Sequence, residues 1–566
     1  MRIHLLLLLG VAAAASLSAQ QPYDVLITGG QLLDGAGNPA MYADVGIRAG
    51  KIAAIGTLRG SPATRTINAK GKIISPGFID MHSHADGGLG SDDRKRRSAS
   101  NLVSQGITTV CVNPDGASPW PIAQQRATYE KLGIGPNAAL MVGHGTVRRL
   151  VMKEDYKRAA TADEIRKMRE LVHQGMAEKA FGMSAGLEYV PGIWSTTEEV
   201  IELVKEVVPY GGVYTVHQRS ESTDPRWFRP SVDPPAQPTM LDAVAETIRI
   251  GEETGAIVIW SHSKAMGADY WGSTKAAIQL INRARARGVD VWSDQYPYNS
   301  TGGDGSTVLI PAWAIGDDAF SSARGKDRGK TDYGATLRKT MEDPQKAPKV
   351  RSDIVHEMER RGGAENVMVM DHPDKTFVGR SVGALATSRG INPVQMALEL
   401  QYEGYKDCPG GARLRGFSVW EDDVEALMTQ PWIATSTDAA IALPEDGPDT
   451  HARYYGSYPR KLRKYALDKP VISLENAIRS STSLPAQIVG IRDRGLVREG
   501  FVADLVIFDP KTVRDKATFD NPHQYSEGID YVLINGQFAV DGGKLTGALP
   551  GQVLSPSPAR MVRAAR

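Results

Sequence analysis

Residues 73–86 read Ile-Ile-Ser-Pro-Gly-Phe-Ile-Asp-Met-His-Ser-His-Ala-Asp, an apolar run with a Pro-Gly start that ends abruptly in two histidines. If this run is a strand, its period of two places His82 and His84 on the same face. Two neutral imidazoles at a strand end can hold one metal ion. The alternative is a pair of surface or hydrogen-bonded histidines, because short motifs carry a high false-positive risk.

The chain on either side of the histidines repeats a pattern of strand, loop and helix. The predicted strands are apolar or β-rich segments at 73–82, 107–115, 138–145, 180–187, 212–219, 257–264, 290–298 and 431–438. Helical stretches fill the intervals, and several open with Thr followed by Glu or Asp, which is typical of N-terminal caps. Eight strands each followed by a helix indicate an α/β protein built on a (β/α)8 TIM barrel. A doubly wound open sheet is the alternative, but no Gly-rich phosphate loop follows any strand.

The two ends of the chain have a different texture. Residues 22–74 and 501–545 contain short segments of alternating apolar and polar residues, separated by Gly turns. This pattern favours one small β-sandwich built from both ends, and the alternative is two unrelated β units. The interval 299–430 is far longer than one crossover, and its charged helical stretch runs from about Asp317 to Arg361. Such an excursion is either a lid or substrate lobe, or a solvated helical insertion.

These patterns divide the chain into five parts. They are a leader at 1–20, the N-terminal part of the β-sandwich at 21–74, a barrel at 75–488 with an insertion at about 300–390, the C-terminal part of the β-sandwich at 489–552, and a tail at 553–566.

Composition limits the class of protein. The 566 residues are 41% hydrophobic and 23% charged, as in an ordinary soluble globular protein. Arg2, the apolar run from Leu5 to Leu17 and the small residues Ser18 and Ala19 predict a secretory signal peptide that is too short to span a bilayer. Its removal leaves 65 basic and 65 acidic residues, because the 66 Lys plus Arg include Arg2. We therefore expect a soluble periplasmic or secreted protein, with no nucleic-acid binding and no membrane insertion.

The chain has two cysteines, Cys111 and Cys408. One disulfide and two free buried thiols are both compatible with an exported chain of this size, because a large domain can be stabilised by burial alone.

Polar residues of metal-binding type follow several of the predicted strands. Because barrel active sites lie at the carboxyl ends of the strands, these residues are expected to converge. They are His82, His84, Asp115, His217, His262 and Asp438. Each histidine alone would more often be structural, but the joint set is hard to explain by packing.

Several segments carry a resemblance to a known family. They are PGFIDMHSHAD, GITTVCVNPDG, GHGTVRR, GMSAGLEYVPG, YTVHQRSES, WSHSKAMG, DQYPYNST, TSTDAAI and NPHQYSEGI. In this order, over about residues 22–550, the chain resembles the amidohydrolase superfamily and, within it, the D-aminoacylase (N-acyl-D-amino-acid deacylase) family. The resemblance implies a barrel with a small β-sandwich, one or two Zn²⁺ ions, and hydrolysis of the amide of N-acyl-D-amino acids.

The resemblance also assigns metal positions. His82 and His84 match the first metal pair, His217 and His262 match the histidines of the tightly held ion, and Asp438 matches the aspartate after the last strand. Where the family carries a metal-binding cysteine, this sequence has Asp115. A carboxylate can replace a thiolate and bridges two ions more naturally, so we expect a more evenly occupied two-metal site.

The fourth strand end, residues 182–186, has no lysine that could be carboxylated as a metal bridge. This absence disfavours the cyclic-amide hydrolases. It leaves Asp115 as the best candidate for a bridge.

The expected chemistry follows from these ligands. A bound zinc ion lowers the pKa of water to about 7 and polarises the scissile carbonyl. Asp438 would take the proton and return it to the leaving amine as general base and acid, although Ser436-Thr437-Asp438 could also be a helix cap.

Five further residues are candidates for contact with a small-molecule substrate. Lys264 and Tyr296 resemble substrate-contacting residues of the family, Arg453 is a further candidate, and Ser184 and Tyr189 are expected to line the pocket. The alternatives are another amidohydrolase reaction, such as that of a dipeptidase or a cyclic-amide hydrolase, or a secreted non-catalytic binding protein.

Overall fold

The computed structural model describes residues 21–316 and 331–557. The predicted signal peptide and the start of the charged insertion helix at Asp317 lie outside these residues. The strands, in chain order, are β1 (Tyr23–Thr28), β2 (Gln31–Leu32), β3 (Met41–Tyr42), β4 (Asp44–Arg48), β5 (Lys51–Gly56), β6 (Ala63–Asn68), β7 (Ile73–Pro76), β8 (Phe78–Asp80), β9 (Ser83–His84), β10 (Ile107–Val112), β11 (Asn137–Leu140), β12 (Val142–Gly143), β13 (Gly182–Gly186), β14 (Val213–His217), β15 (Ile257–Trp260), β16 (Val291–Gln295), β17 (Val367–Asp371), β18 (Arg413–Gly416), β19 (Ile433–Thr435), β20 (Ala439–Ala440), β21 (Leu505–Phe508), β22 (Ile529–Ile534), β23 (Gln537–Asp541) and β24 (Lys544–Leu545).

Helices alternate with most of the inner strands. The α-helices are Asp86–Leu89, Arg94–Arg97, Ser100–Val103, Ile122–Leu132, His144–Met152, Ala162–Ala177, Thr197–Val204, Met240–Thr254, Thr274–Ala286, Ala312–Ile315, Tyr333–Met341, Ala347–Arg360, Val382–Arg389, Pro393–Glu403, Glu421–Met428, Arg453–Arg460, Leu474–Ser481 and Ser483–Val489. Thr161 and Thr239 begin two of them with full capping boxes, in which Glu164 and Asp242 return the hydrogen bond. No helix in the described ranges is long and apolar enough to cross a bilayer.

The inner strands pair in parallel with their neighbours in the chain. One sheet has the order β11-β10-β8 and a second has the order β12-β13-β14-β15-β16-β19. Each of the eight predicted segments contains a strand, and Met141 divides the third into β11 and β12. The last strand meets the first where the Thr437 amide donates to Asp80 Oδ1 at 2.9 Å, and β20 pairs with β9. The carboxyl ends of these strands therefore face one side of the molecule.

The first predicted strand, 73–82, is in fact two strands in two different sheets. β7 pairs with β2 and β21, whereas β8 pairs with β10. Gly77 separates them, and a Cβ built at this position would lie 2.2 Å from Thr108 Oγ1. Only glycine allows the backbone to approach Thr108 this closely, so the Pro-Gly break is where the chain changes sheets.

Segments from both ends of the chain lie together. One sheet has the order β5-β4-β1-β6, and the other, β24-β23-β22-β21-β7-β2-β3, combines strands from both ends. An apolar cluster that includes Ile27, Val45, Ile74 and Leu505 joins the two sheets. The expected tail begins later than residue 553, because the Leu554 amide still donates to the Ala138 carbonyl at 2.8 Å.

The insertion has its own apolar core, which runs from Leu309 to Leu414. It extends to Gly416 rather than to about residue 390, because β18 pairs antiparallel with β17. Cys111 lies buried on β10 and Cys408 lies in the insertion, and no disulfide joins them.

A buried ion cluster fixes the helix that follows β12. Glu199 accepts from Arg148 and lies 2.9 Å from His144 Nε2, and all three side chains are buried. Burial alone would raise the pKa of Glu199, but hydrogen bonds from His144 and Arg148 hold it below its ordinary value. The stabilisation by Glu199 is therefore present above the ordinary pKa of Glu and is lost as the pH falls.

We expect Glu199→Gln to destabilise the protein by about 3–5 kcal/mol, because it leaves the buried Arg148 charge unpaired. Glu202→Gln is the matched control on the same helix, where the carboxylate forms surface ion pairs with Arg169 and Lys205 worth about 0–1 kcal/mol. Thermal unfolding measures both. An equal loss of stability in Glu199→Gln and Glu202→Gln would contradict the expectation.

Candidate metal centre and active site

The six candidate ligands converge on one point at the carboxyl ends of the inner strands. Asp115 is at the centre, with Oδ1 3.5 Å from His82 Nε2 and 3.6 Å from His262 Nε2, and Oδ2 3.4 Å from His84 Nε2. His217 Nδ1 lies 2.9 Å from His262 Nε2. On the opposite side, Asp438 Oδ1 lies 3.1 Å from His84 Nε2. Ligands predicted at five separate strand ends therefore form one cluster.

The cluster contains overlapping triads suited to a metal ion. In each triad the nitrogen and oxygen atoms lie within 4.8 Å of one another. Asp115 belongs to the triad with His82 and His84 and also to the triad with His217 and His262. Asp438 forms a third triad with His82 and His262. Asp115 is therefore placed where a bridging carboxylate would lie.

Two atoms at the centre lack a hydrogen-bond partner among the described residues. They are His82 Nε2 and Asp115 Oδ1, and both are buried. A buried polar atom without a partner is costly unless an ion or water satisfies it. Burial lowers the pKa of His82 to about 3, which keeps this imidazole in the neutral form that binds metals. The donor set fits one or two divalent cations.

The other nitrogen of each inner histidine is held by a second group. His217 Nε2 lies 2.9 Å from Glu188, and His262 Nδ1 lies 3.1 Å from Glu221. His82 Nδ1 lies 2.6 Å from Ser261 Oγ, which donates to Asp294. These contacts fix the ring orientation and direct the remaining nitrogen into the cluster.

Glu188 and Glu221 are residues that sequence reasoning missed. They lie inside the segments GMSAGLEYVPG and YTVHQRSES, a few residues after a strand end, and carboxylates in loops are usually on the surface. The signal that could have found them is the need of each metal-binding histidine for a partner at its second nitrogen.

We expect Glu188→Gln to weaken metal binding about 10- to 100-fold, because the neutral amide is a poorer acceptor for the His217 ring. Competition with a chelator, followed by metal analysis, measures the affinity. Glu178→Gln is the control, since this half-buried carboxylate accepts from the Ala123 amide and does not belong to the cluster. Unchanged affinity in Glu188→Gln would show that Glu188 does not orient His217.

Three of the cluster residues have a left-handed backbone. The φ angles are 55° at Asp115, 34° at His262 and 51° at Asp438. Asp, Asn and His enter this region more readily than other side chains apart from glycine. Each of these turns bends the chain immediately after a strand, which directs the side chain inward.

Charges set the ionisation of the two aspartates. Burial alone would raise their pKa values, but the histidines around Asp115, namely His82, His262 and His84, together hold its pKa well below the ordinary value, and Arg453 does the same for Asp438. Arg453 Nη1 lies 2.9 Å from Asp438 Oδ2. Both carboxylates are therefore ionised, as ligands and proton acceptors must be.

A cavity of about 540 Å³ opens over the cluster. Four of the five predicted substrate contacts line it, namely Lys264, Tyr296, Arg453 and Tyr189. Lys264 Nζ already lies 2.5 Å from Glu221 and 2.8 Å from His262 Nδ1. Lys264 thus lines the cavity and also contacts His262 and its partner Glu221.

Ser184 is the exception among the predicted substrate contacts. Its side chain is buried and lies outside the cavity lining. The hydroxyl donates to the Asn113 carbonyl at 2.6 Å and accepts from the Gly116 amide at 3.1 Å. Ser184 therefore holds the turn that carries Asp115, because neighbouring parallel strands bring its hydroxyl against that turn.

Parallel strands that end in a cluster of histidines and carboxylates are the arrangement expected of a metal-dependent hydrolase of the amidohydrolase type. Residues 65–207 and 347–540 match the model of the Amidohydrolase family, and the chain belongs to that family. The D-aminoacylase of Alcaligenes xylosoxydans xylosoxydans is 33% identical over 96% of this chain and 100% of its own length. The N-acyl-D-glutamate deacylase of the same organism is 32% identical over 91% of this chain and 93% of its own.

Solved structures agree with these relatives. A D-aminoacylase with a binuclear metal centre is 31% identical, with a TM-score of 0.70 over 94% of this chain and 100% of its own. The N-acyl-D-glutamate deacylase of Bordetella bronchiseptica, complexed with zinc and a phosphonate that mimics the tetrahedral intermediate, is 28% identical with a TM-score of 0.69 over the same shares. The resemblance predicted from the sequence is confirmed, and the protein is an amidohydrolase with an amidohydrolase-type fold.

Proposed function

We propose that this protein is a zinc-dependent N-acyl-D-amino-acid deacylase, which hydrolyses the amide to release a carboxylate and a D-amino acid. The observation that carries the proposal is a cluster of potential metal ligands centred on Asp115. It lies below a cavity that is lined by buried cationic side chains. The names of three relatives support the substrate class. They are a D-aminoacylase, an N-acyl-D-glutamate deacylase and an N-acyl-D-aspartate deacylase.

We assign the ions to two overlapping sets. Asp115, His217 and His262 would hold the essential ion, and His82 and His84 the less tightly bound one, with Asp115 shared between them and Asp438 beside them. A bound zinc ion would polarise the scissile carbonyl of the substrate and supply hydroxide at neutral pH. We propose that the chain that carries this site folds as a (β/α)8 barrel, with a small β-sandwich formed by both chain ends.

The cavity wall is suited to the α-carboxylate that every N-acyl amino acid carries. The Tyr296 ring lies between two cations, with Lys264 Nζ 5.6 Å and Arg453 Cζ 4.7 Å from its centroid. Tyr296 Oη has no hydrogen-bond partner among the described residues. A carboxylate placed here would accept from the tyrosine hydroxyl and lie near two positive charges, which orients the amide toward the cluster.

Asp438 is assigned the proton transfers. Its Oδ2 is held by Arg453, whereas Oδ1 faces His84 and His82 at 3.1 and 3.6 Å. The carboxylate would accept a proton from the attacking water and donate it to the departing nitrogen, so that the amine leaves in neutral form.

The test is the turnover of N-acetyl-D-amino acids by zinc-loaded protein, compared with the L-isomers, dipeptides and hydantoins. Hydrolysis of the D-acyl compounds at a kcat/KM at least 100-fold above that for the L-isomers is expected. Faster turnover of dipeptides or hydantoins would replace this proposal with one of the other amidohydrolase reactions. Binding of N-acyl amino acids without any turnover would indicate a non-catalytic binding protein.

We also propose that residues 1–20 direct export and are removed, on the strength of their basic, apolar and small-residue order. N-terminal sequencing of protein recovered from the periplasm or medium tests this. A chain that stays in the cytoplasm and still begins at Met1 would disprove it.

A further inference from the structure

Five cationic side chains line the cavity over the metal cluster, and four of them have a partner. Lys264 pairs with Glu221, Arg360 with Asp224, Arg361 with Glu357 and Asp304, and Arg453 with Asp438. Arg226 is the fifth, and its guanidinium forms no hydrogen bond or ion pair with any described residue. Among the described residues that line the cavity, Arg226 is therefore the cation whose guanidinium has no direct ionic partner.

The backbone around Arg226 is held in place from both sides. The Arg226 amide donates to Glu188 at 2.6 Å, and Glu188 in turn holds His217. The Arg226 carbonyl accepts from Arg360 at 2.7 Å, and the same guanidinium bonds Asp224 and the Pro225 carbonyl. Arg226 thus has a fixed position relative to the metal cluster, unlike an arginine on a freely moving surface loop.

The guanidinium reaches toward the reacting centre. Arg226 Cζ lies 5.4 Å from the centroid of the Tyr189 ring, and this ring lies 4.1 Å from the His217 ring. One aromatic ring therefore separates Arg226 from the proposed metal ligands. An anion bound by Arg226 would lie a few bonds from a scissile amide placed at the cluster.

A second arginine makes the position more favourable for an anion. A Cβ built on Gly303 would lie 3.4 Å from Arg226 Nη2 and 3.5 Å from Arg361 Nη1, so both guanidiniums approach this glycine. The absence of a side chain at Gly303 leaves room between them. A carboxylate there would compensate Arg226 and relieve the repulsion between the like charges.

We propose that Arg226 binds a second carboxylate of the substrate, so that the preferred substrates are dianionic N-acyl-D-amino acids. This inference rests on the proposed deacylase function and narrows its substrate class. The second carboxylate can belong either to the amino-acid side chain or to a dicarboxylic acyl group, since both lie a few bonds from the amide. The α-carboxylate is assigned to Tyr296 and its flanking cations, which leaves Arg226 for the additional charge.

The experiment compares kcat/KM of the zinc-loaded enzyme for three matched compounds. They are N-acetyl-D-glutamate, N-succinyl-D-glutamine and N-acetyl-D-glutamine, which place the second charge on the side chain, on the acyl group, or nowhere. We expect kcat/KM for one of the dianionic compounds to exceed that for the monoanionic N-acetyl-D-glutamine at least 10-fold, and the identity of that compound locates the second charge.

Arg226→Gln should lower kcat/KM for the preferred dianionic compound about 10- to 100-fold and leave N-acetyl-D-glutamine within about 2-fold, because one charge-assisted contact is lost. Arg226→Lys should retain part of the preference, since it keeps the charge without the bidentate geometry. Arg229→Gln is the matched control in the same loop, because that arginine already pairs with Asp233. Arg229→Gln should change kcat/KM neither for the preferred dianionic compound nor for N-acetyl-D-glutamine.

Equal rates for the three compounds in the wild-type enzyme, or an equal loss for all of them in Arg226→Gln, would overturn the inference while leaving the deacylase function intact. Failure of the wild-type enzyme to hydrolyse any N-acyl-D-amino acid would instead overturn the proposed function. Circular dichroism and metal content of each variant show whether the fold and the cluster are retained.

Discussion

Asp438→Asn is expected to lower kcat about 10²- to 10⁴-fold while the protein stays folded, because the amide can neither accept nor return the proton. Asparagine is the informative replacement. Asp438 has a φ of 51°, and Asn tolerates this left-handed backbone almost as well as Asp does. The substitution therefore removes the charge without disturbing the turn. Steady-state kinetics with N-acetyl-D-amino acids measures the effect.

Two measurements separate a chemical role of Asp438 from a structural one. The metal content of Asp438→Asn should stay close to wild type, since His82, His84 and Asp115 remain in place, whereas its melting temperature should fall while the protein stays folded, because buried Arg453 loses its ionic partner. Asp446→Asn is the control aspartate, whose carboxylate pairs with Arg96 on the surface. A fall in kcat of less than 10-fold for Asp438→Asn would assign the proton transfer to another group.

Asp115→Asn is expected to lower metal affinity roughly 10²- to 10³-fold, with a matching loss of activity at limiting zinc. The charge of Asp115 faces three imidazoles, and removal of one partner from a buried ionic cluster costs about 3–5 kcal/mol. Elemental analysis after dialysis measures the number of ions per chain. Wild-type protein should hold two and Asp115→Asn fewer than one.

Asp115→Cys tests whether the carboxylate determines the number of ions. A thiolate can bind the ion held by His217 and His262, but it has one donor atom where the carboxylate has two. We therefore expect one ion per chain in Asp115→Cys and two in the wild type. Two tightly held ions in the cysteine variant would show that Asp115 is not the bridge.

Much of this architecture could be predicted because its causes are local. Buried apolar segments such as Ile107–Val112 are strands on composition alone, and polar residues directly after them have to lie at the carboxyl edge. This reasoning predicted His82, His84, His217 and His262 as candidate ligands, and the structure brings their side chains into one cluster. The family resemblance then supplied candidate substrate contacts, of which Lys264, Tyr296 and Arg453 line the cavity.

The features that were missed depend on contacts between distant segments. Glu188 and Glu221 are loop carboxylates whose importance appears only when the histidine rings lie beside them. Ser184 was misplaced because a strand's period gives the face of a side chain but not which neighbouring loop covers it. The change of sheet at Gly77 was likewise invisible, since it results from the approach of Thr108.

The pairing of β7 with β21 has a consequence for the order of events during folding. Ile74 lies opposite Ile507, and the strand that leads to His82 and His84 begins four residues after Ile74. A ribosome must therefore complete nearly the whole polypeptide before β7 can acquire this neighbour. Contacts between such remote segments form slowly, because the intervening chain has to be closed into a loop first. The stretch that carries the first two histidines is therefore translated early, but the strand before it acquires its partner β21 only after most of the chain has been made.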